Sequence, residues 1–215
     1  MDKLSIILTT YQINDQVSYL TECCIKSLRK YTDVPYELII VDNGSERDLD
    51  YLMKEADIFV RSKINRGNAW QWNAGLKLSS GNHLLLCDND VEFLKGWAKP
   101  LIKLLKNPKV GIAFPLTKNK EELDFSAKLA GFCWMMRRDT WIKMGPICED
   151  YFLNFEDTDY FMRTKQRGYL LKVAPESKVI HYSRATCDYV PEATSLYKKN
   201  EQKFLEKFGE FPTLD

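Results

Sequence analysis

The segment HLLLCDND, residues 83–90, indicates both the fold and the first functional hypothesis for this chain. Its apolar run has the length of a buried strand and ends abruptly in two carboxylates, Asp88 and Asp90. Because side chains alternate along an extended chain, both carboxylates can point to the same side where the strand ends. Such a pair suits a hard divalent cation, although Asp and Asn are also common in ordinary turns.

The rest of the chain repeats this pattern of a strand followed by a helix. Apolar runs of strand length alternate with segments of helical periodicity, and the first four runs are at 4–8, 36–41, 58–60 and 83–87. Near-continuous apolar strands that alternate with helices indicate an α/β fold with a mostly parallel sheet covered by helices on both faces. Later in the chain we expect short strands at 169–173 and 179–181 and an amphipathic, lysine-rich helix over 192–208.

Composition limits the classes of protein to consider. The chain has 215 residues, of which 45% are hydrophobic, and this suits a single folded domain. Its 31 Lys and Arg nearly balance 30 Asp and Glu, so the overall charge does not favour nucleic acid as a partner. No window approaches 18 consecutive apolar residues, and the first residues do not have the pattern of a signal peptide.

The cysteines indicate a reducing environment. The chain has six of them and no C-x-x-C pair, so a thiolate zinc site is not expected. We interpret them as free thiols and expect a cytoplasmic protein. A peripheral contact with the inner face of a membrane stays open through the basic C-terminal helix, whose default role is to cover the sheet.

Polar side chains follow each of the four strands of the predicted parallel sheet. In open sheets of this kind, ligands bind outside the carboxyl ends of the strands. One polar residue alone is typical of any loop, but polar groups at four strand ends together favour a nucleotide cleft. The residues concerned are Thr9 and Tyr11, then Asp42, then Asn65, Arg66 and Gly67, and finally Asp88, Asn89 and Asp90.

In these motifs the chain resembles the family 2 glycosyltransferases, which have the GT-A (nucleotide-diphospho-sugar transferase) fold. The similarity covers about residues 3–185, and the matching pieces are SIILTTY at 5–11, IIVDNGS at 39–45, NRG at 65–67, NAG at 73–75, DND at 88–90, 131–138 and FEDTD at 155–159. The resemblance implies a mostly parallel central sheet flanked by helices and a single domain over residues 1–215. The resemblance divides this domain into a nucleotide-binding half over about 1–95, an acceptor-binding half over about 96–190 and a C-terminal helix over about 192–208.

The resemblance also implies roles in binding the donor. The residues that would contact the nucleotide are Thr9, Tyr11, Asp42, Asn65, Arg66, Gly67, Asp88 and Asn89. Among them, Asp42 would accept a hydrogen bond from a ring N–H of the base, because an ionised carboxylate can only accept. Asp90 would bind Mn²⁺ or Mg²⁺ directly, with Asp88 beside it on the ribose or on metal-bound water, and the ion would neutralise the diphosphate leaving group. His181 is either a further ligand of this metal or a hydrogen-bonded loop histidine.

On the acceptor side, the resemblance implies that one of the two acids Glu156 and Asp157 removes the proton of the acceptor hydroxyl. We assign Asp157 as the general base and Glu156 to acceptor binding. Trp134 is our own candidate for a residue that stacks on the acceptor or donor sugar. The implied reaction moves a sugar, with inversion, from a nucleoside diphosphate sugar to a hydroxyl of a glycan, a lipid-linked sugar or a protein. A UDP-sugar is the first candidate donor, and GDP- and dTDP-sugars are alternatives. The oligomeric state is not predicted.

Three other hypotheses stay open at this point. A sugar-nucleotide pyrophosphorylase would carry a glycine-rich loop after the first strand, but residues 9–12 contain no glycine. An inactive nucleotide-binding module would not need both acidic clusters. A retaining transferase would differ in the configuration of its product. The sequence also departs from the family at Gln12, where Asn is common, and at 70–72, where two Trp are bulkier than the usual small residues.

Overall fold

The structure is a computed structural model that describes residues 3–182 and 193–215. The predicted thiol of Cys187 and the predicted helix start at 192 lie outside the described residues. The elements in chain order are β1 (Leu4–Thr10), α1 (Asp15–Tyr31), β2 (Tyr36–Asn43), α2 (Leu49–Glu55), β3 (Ile58–Ser62), α3 (Asn68–Leu78), β4 (His83–Asp88), β5 (Val91–Phe93), α4 (Ala98–Leu105), β6 (Val110–Asn119), β7 (Cys133–Arg137), α5 (Arg138–Met144), α6 (Glu156–Gln166), β8 (Leu170–His181) and α7 (Ala193–Phe208).

These strands form one sheet in the order β3-β2-β1-β4-β7-β6-β8-β5. The first four strands in that order are parallel, which confirms the prediction from the strand and helix alternation. Strand β7 runs antiparallel between β4 and β6, so the complete sheet is mixed. The parallel part aligns its carboxyl ends, and Thr9 of β1 lies in register with Asp88 of β4.

Two apolar cores cover the two faces of the sheet, as near-continuous apolar strands predict. Every residue of β1 is buried, and its side chains alternate between the cores, with Ile6 on one face and Ile7 on the other. Helix α3 approaches β1 closely at Gly75, where a Cβ atom would lie 2.4 Å from Cγ2 of Ile7. This close packing holds α3 tightly against one face of the sheet.

Two features of the second half differ from the prediction. The three-residue strand β5 follows Asp90 directly and pairs with the end of β8, so that Val91 lies in register with His181. The two strands expected at 169–173 and 179–181 form one strand, β8. Its pairing with β6 shifts register between Pro115 and Leu116, whose partners on β8 are Ala174 and Lys178.

Helix α7 does not cover the sheet. It packs instead on the loop before α6, where its Phe204 contacts Tyr151, Phe155 and Met162. Asn200 of the same helix donates a hydrogen bond of 2.8 Å to the carbonyl of Leu153. None of the helices within 3–182 and 193–215 is long and apolar enough to cross a bilayer.

Candidate active site

The carboxyl edge of the parallel strands opens into a cleft of about 590 Å³. The structure brings most of the predicted site residues together there, on strand ends from the first half and on α6 from the second. Those that line the cleft are Thr9, Tyr11, Asn65, Gly67, Asp88, Asn89, Asp90, Glu156, Asp157 and His181. Three predicted residues, Asp42, Arg66 and Trp134, do not line it.

The tip of β4 carries one cluster of acidic groups. The hydroxyl of Thr9 donates a hydrogen bond of 3.1 Å to Oδ1 of Asp88. Burial, together with the charge of Asp90, raises the pKa of Asp88 to about 7. Asn89, between the two acids, donates to the hydroxyl of Thr21 at 2.7 Å, which anchors this tip to α1. The hydrogen bond from Thr9 and the contact of Asn89 with α1 therefore hold the end of β4, with both carboxylates, at the cleft.

His181 reaches this cluster because β5 pairs with β8. Its Nε2 lies 3.3 Å from Oδ1 of Asp90, and its ring stacks on Phe132 with centroids 3.7 Å apart. The backbone N–H of Tyr182 donates to the carbonyl of Asp90 at 2.9 Å, which joins the two segments at the same point. The short strand β5 thus places a residue from near the end of the domain beside the acidic tip.

This cluster fits a divalent cation that also contacts a substrate. Within residues 3–182 and 193–215, no three His, Cys, Asp or Glu side chains are arranged as a complete metal site. Apart from the ion-pair contact with Nε2 of His181, Oδ1 of Asp90 is nonetheless buried and accepts no hydrogen bond from the described residues. Buried acceptors of this kind are normally satisfied. Mg²⁺-like ions are commonly bound by one or two carboxylates plus substrate phosphates, so an incomplete protein ligand set agrees with such an ion.

A second acidic pair lies at the start of α6. Oδ1 of Asp157 accepts hydrogen bonds from the backbone N–H and the hydroxyl of Thr158, at 2.7 and 3.1 Å. Its Oδ2 lies where a side chain at position 131 would be, since a Cβ atom on Gly131 would be 1.7 Å away. Glu156 is 4% exposed, and its Oε2 has no hydrogen-bond partner in the described part of the chain.

The surroundings of these two acids shift their pKa values differently. Burial and the neighbouring charge of Asp157 raise the pKa of Glu156 to about 8. Burial also raises the pKa of Asp157, but its hydrogen bonds with Thr158 oppose that rise. The hydrogen bonds from Thr158 thus favour the ionised form of Asp157, whereas burial beside Asp157 favours the protonated form of Glu156.

The described lining of the cleft is acidic without compensating cations. Its charged residues are the four acids Asp88, Asp90, Glu156 and Asp157 and the single His181, and no Lys or Arg is among the described lining residues. The two acidic clusters also influence each other, because the charge of Asp157 contributes to the raised pKa of Asp88. Among the described lining residues, an anionic ligand thus meets acidic groups whose charge a bound cation would offset.

Asp42 occupies a different place from the one predicted. It is completely buried, and its carboxylate accepts from the backbone N–H groups of Gly44 and Ser45. Oδ2 also lies 3.2 Å from Nε of Arg61. Both oxygens thus have partners from the turn and from Arg61, and Asp42 does not line the cleft. The next residue, Asn43, lines the cleft instead.

Asn43 belongs to a polar network that the sequence analysis did not single out. Its amide donates to Oδ1 of Asn65 at 2.7 Å and to Oε1 of Gln71 at 3.2 Å. Gln71 in turn donates to the carbonyls of Thr10 and Val41 at 3.0 and 2.7 Å. This network ties the ends of β1 and β2 to the loop before α3. The available sequence signal was the Asn that directly follows Asp42 at the strand end.

Arg66 and Trp134 also lie outside the cleft lining. The guanidinium of Arg66 is 4.9 Å from the ring of Trp70 on the exterior of α3. Trp134 is 0% exposed and packs between Trp72 and Phe161, with centroids 5.9 and 5.2 Å away. Its place in the core corrects the prediction that it contacts the acceptor. The side chain is buried because Trp134 pairs with Leu86 in the interior of the sheet.

Comparison with known proteins agrees with this geometry. The model of the family described as glycosyl transferase family 2 matches residues 5–166. An uncharacterized glycosyltransferase of Bacillus subtilis, YwdF, is 26% identical over 98% of this chain and 87% of its own length. A putative polypeptide N-acetylgalactosaminyltransferase 13 of Drosophila melanogaster is 31% identical, over 43% of this chain and 19% of its own length.

Solved structures show the same fold. The mannosyltransferase PcManGT of Pyrobaculum calidifontis, in complex with GDP-Man and Mn²⁺, superposes with a TM-score of 0.75 at 16% identity over 98% of this chain. GalNAc-T7 with UDP, GalNAc and Mn²⁺ gives a TM-score of 0.70 at 16% identity over 84% of this chain. The chain spans 66% and 44% of the lengths of these two proteins. The family match over most of its length shows that this chain belongs to glycosyltransferase family 2, and its fold is GT-A.

Proposed function

We propose that the protein transfers a sugar from a nucleoside diphosphate sugar to a hydroxyl acceptor, with inversion, and that Mn²⁺ or Mg²⁺ is required. The observation that carries this proposal is the cleft that holds two separate acidic groups and no described Lys or Arg in its lining. One acidic group suits a metal and its diphosphate, and the other suits proton removal from an acceptor. Solved relatives of this fold contain GDP-Man or UDP together with Mn²⁺, which supports a donor of this class.

The donor would bind on the side of the cleft formed by β1, β2 and the loop before α3. Tyr11 offers an apolar ring for the base, and the Asn43 and Asn65 amides offer polar contacts. Gly67 has a φ of 83° and a backbone close to that of Phe152, so a side chain there would be excluded. A UDP-sugar is the first candidate, and GDP- and dTDP-sugars are the alternatives to compare with it.

Asp90, Asp88 and His181 would hold the metal ion beside the diphosphate. When bound, the ion supplies Lewis-acid stabilisation of the negative charge that develops on the leaving group. The described lining has no cationic side chain that could supply this charge in its place. Asp88 and Asn89 also lie where they can contact the nucleotide itself.

Asp157 would remove the proton of the acceptor hydroxyl. Thr158 holds its Oδ1, so Oδ2, beside Gly131, is the oxygen left to accept the proton. The acceptor oxygen then attacks the anomeric carbon on the face opposite the diphosphate, which inverts the configuration. Protonated Glu156 can donate a hydrogen bond to the acceptor and can accept one at its unpartnered Oε2. The acceptor would be a glycan, a lipid-linked sugar or a protein.

Release of nucleoside diphosphate tests this function. The protein is incubated with UDP-, GDP- and dTDP-sugars, with MnCl₂ or with a chelator, and the free diphosphate is measured. The proposal expects release from at least one donor, dependent on the metal and lost in Asp157→Asn. When pyrophosphate is added, release of a sugar 1-phosphate together with a nucleoside triphosphate would indicate a pyrophosphorylase, and absence of any donor turnover would leave a binding module. NMR of the anomeric proton in the product distinguishes inversion from retention.

A further inference from the structure

A group of aromatic side chains lies at the acceptor end of the cleft and is not used by the mechanism above. Phe152, Tyr197 and Phe211 all line the cleft and are 36%, 46% and 46% exposed. Large aromatic rings that stay this exposed on a folded domain commonly mark an interaction site. We call these three side chains the aromatic platform.

Two members of the platform come from the C-terminal segment. Tyr197 is on α7 and Phe211 follows that helix, whereas the family model ends at residue 166. The platform is therefore a property of this chain that the family match does not cover. Only Phe152 lies within the matched residues, on the loop directly before Glu156 and Asp157.

Stacking on neighbouring rings holds two members of the platform, Phe211 and Tyr197, in place. The ring of Phe211 stacks on the buried ring of Phe204, with centroids 5.3 Å apart and planes 14° from parallel. Tyr197 packs on Phe155 at 5.0 Å. These contacts leave the rings in place before any ligand binds, which reduces the entropy that ordering them would cost.

The segment after Phe211 is also anchored. The backbone N–H of Asp215 donates to the carbonyl of Leu171 at 3.0 Å, and the N–H of Leu171 donates to Oδ2 of Asp215 at 2.8 Å. Lys165 donates to the carbonyl of Thr213 at 2.8 Å. Hydrogen bonds on the far side of Phe211 and ring stacking on the near side thus hold this ring at the cleft.

Charge limits what the platform can take. The acids adjoining it are Glu156 and Asp157, and the described lining of the cleft contains no Lys or Arg. A carboxylate or phosphate on the acceptor would lie beside these two acidic groups and would find no Lys or Arg partner among the described lining residues. A flat apolar surface beside hydrogen-bonding carboxyl groups suits a ligand with one apolar face and several hydroxyls.

We infer that the aromatic platform is the acceptor subsite and that it binds an uncharged sugar ring, stacked on Phe211 and Tyr197 with a hydroxyl directed to Asp157. This inference rests on the proposed function, because it assumes that a hydroxyl is the attacking group. It adds the chemical class of the acceptor and assigns its recognition to the C-terminal segment.

A printed panel of neutral, acidic and amine-bearing oligosaccharides tests the inference. Fluorescently labelled protein is applied with MnCl₂ and UDP, and nucleotide binding is measured separately by calorimetry. We expect retention on neutral glycans only. Phe211→Leu keeps an apolar side chain without the aromatic face, and we expect it to weaken retention about three- to tenfold, as Tyr197→Ala should.

The matched control is Tyr19→Ala, which removes an exposed ring, 64% accessible, from α1 outside the cleft. It should leave glycan retention unchanged, and all three variants should bind nucleotide like the wild type. Equal retention of acidic glycans, retention unaffected by Phe211→Leu, or no retention by a protein that binds UDP would each overturn the inference alone. A wild type that binds none of UDP, GDP and dTDP with MnCl₂ would overturn the proposed function as well.

Discussion

The two adjacent acids at the start of α6 can be distinguished by replacing each with its amide. Burial beside Asp157 raises the pKa of Glu156 to about 8, so the protonated form of Glu156 is favoured at pH 7. Glu156→Gln keeps the size of that side chain and a hydrogen-bond donor. We therefore expect it to retain donor turnover at pH 7 within a few-fold. Asp157→Asn removes the general base, and we expect a loss of about 10²- to 10⁴-fold.

The dependence of turnover on pH distinguishes these two acids further. In the wild type, turnover should fall above pH 8 as Glu156 ionises, whereas in Glu156→Gln that decline should disappear. Stability should follow the same group, because a carboxyl whose pKa is raised on folding makes the folded state less stable as pH rises from its unfolded pKa to its folded one. Glu156→Gln should therefore melt at a higher temperature than the wild type at alkaline pH.

Nucleoside diphosphate release, followed from pH 6 to pH 9 at saturating donor and metal, is the assay. Calorimetric nucleotide binding by each variant controls for damage to the donor side. The reasoning is refuted if Glu156→Gln loses as much turnover as Asp157→Asn. It is equally refuted if Asp157→Asn keeps near wild-type rates while Glu156→Gln does not.

Three further predictions concern the site and the stability of the fold. In Gly67→Ala, the added Cβ would lie 2.5 Å from the carbonyl oxygen of Phe152. We therefore expect lower donor turnover and a loss of about 1–3 kcal/mol in the free energy of unfolding, measured by thermal unfolding. Gly96→Ala controls for backbone strain alone, because Gly96 has a similar φ of 80° and open space around it. Burial opposes ionisation of Glu37, but its hydrogen bonds outweigh burial and lower its pKa from 4.5 to about 2. Glu37→Gln should therefore lower the free energy of unfolding by about 2–3 kcal/mol at pH 7, measured by denaturant unfolding. The difference in stability between the variant and the wild type should vanish as pH falls from 4.5 towards 2. Asn200→Ala removes the 2.8 Å hydrogen bond to the loop before α6. We expect a loss of about 1–3 kcal/mol in the free energy of unfolding and a lower turnover number with unchanged nucleotide affinity. Unchanged turnover would show that this loop needs no support from α7.

The sequence was sufficient for the parallel half of the sheet because each of its strands is a continuous apolar run followed by a polar turn. It was insufficient for β5, whose three residues are too few to show any periodicity. That strand exists because Val91 and Phe93 pair with the end of β8, a contact between segments far apart in the chain. The same pairing places His181 beside Asp90.

The site shows the same division. Carboxylates directly after a strand or at a helix start could be predicted, since local sequence decides that they lie at the sheet edge. The direction of a side chain within a turn could not, and Asp42 turns back onto Ser45 and Arg61. Trp134 could not be assigned either, because its burial depends on Trp72 and Phe161 from two other helices.

The central claim is that an acidic cleft accepts a nucleoside diphosphate only together with a divalent ion held at the tip of β4. Calorimetric titration of UDP and of GDP into the protein, with MnCl₂ and then with a chelator, tests this claim most directly. We predict binding of one nucleotide in the presence of Mn²⁺, no measurable binding in the chelator, and loss of the Mn²⁺-dependent binding in Asp90→Ala. Equal affinity with and without the metal, or wild-type binding by Asp90→Ala, would contradict the account.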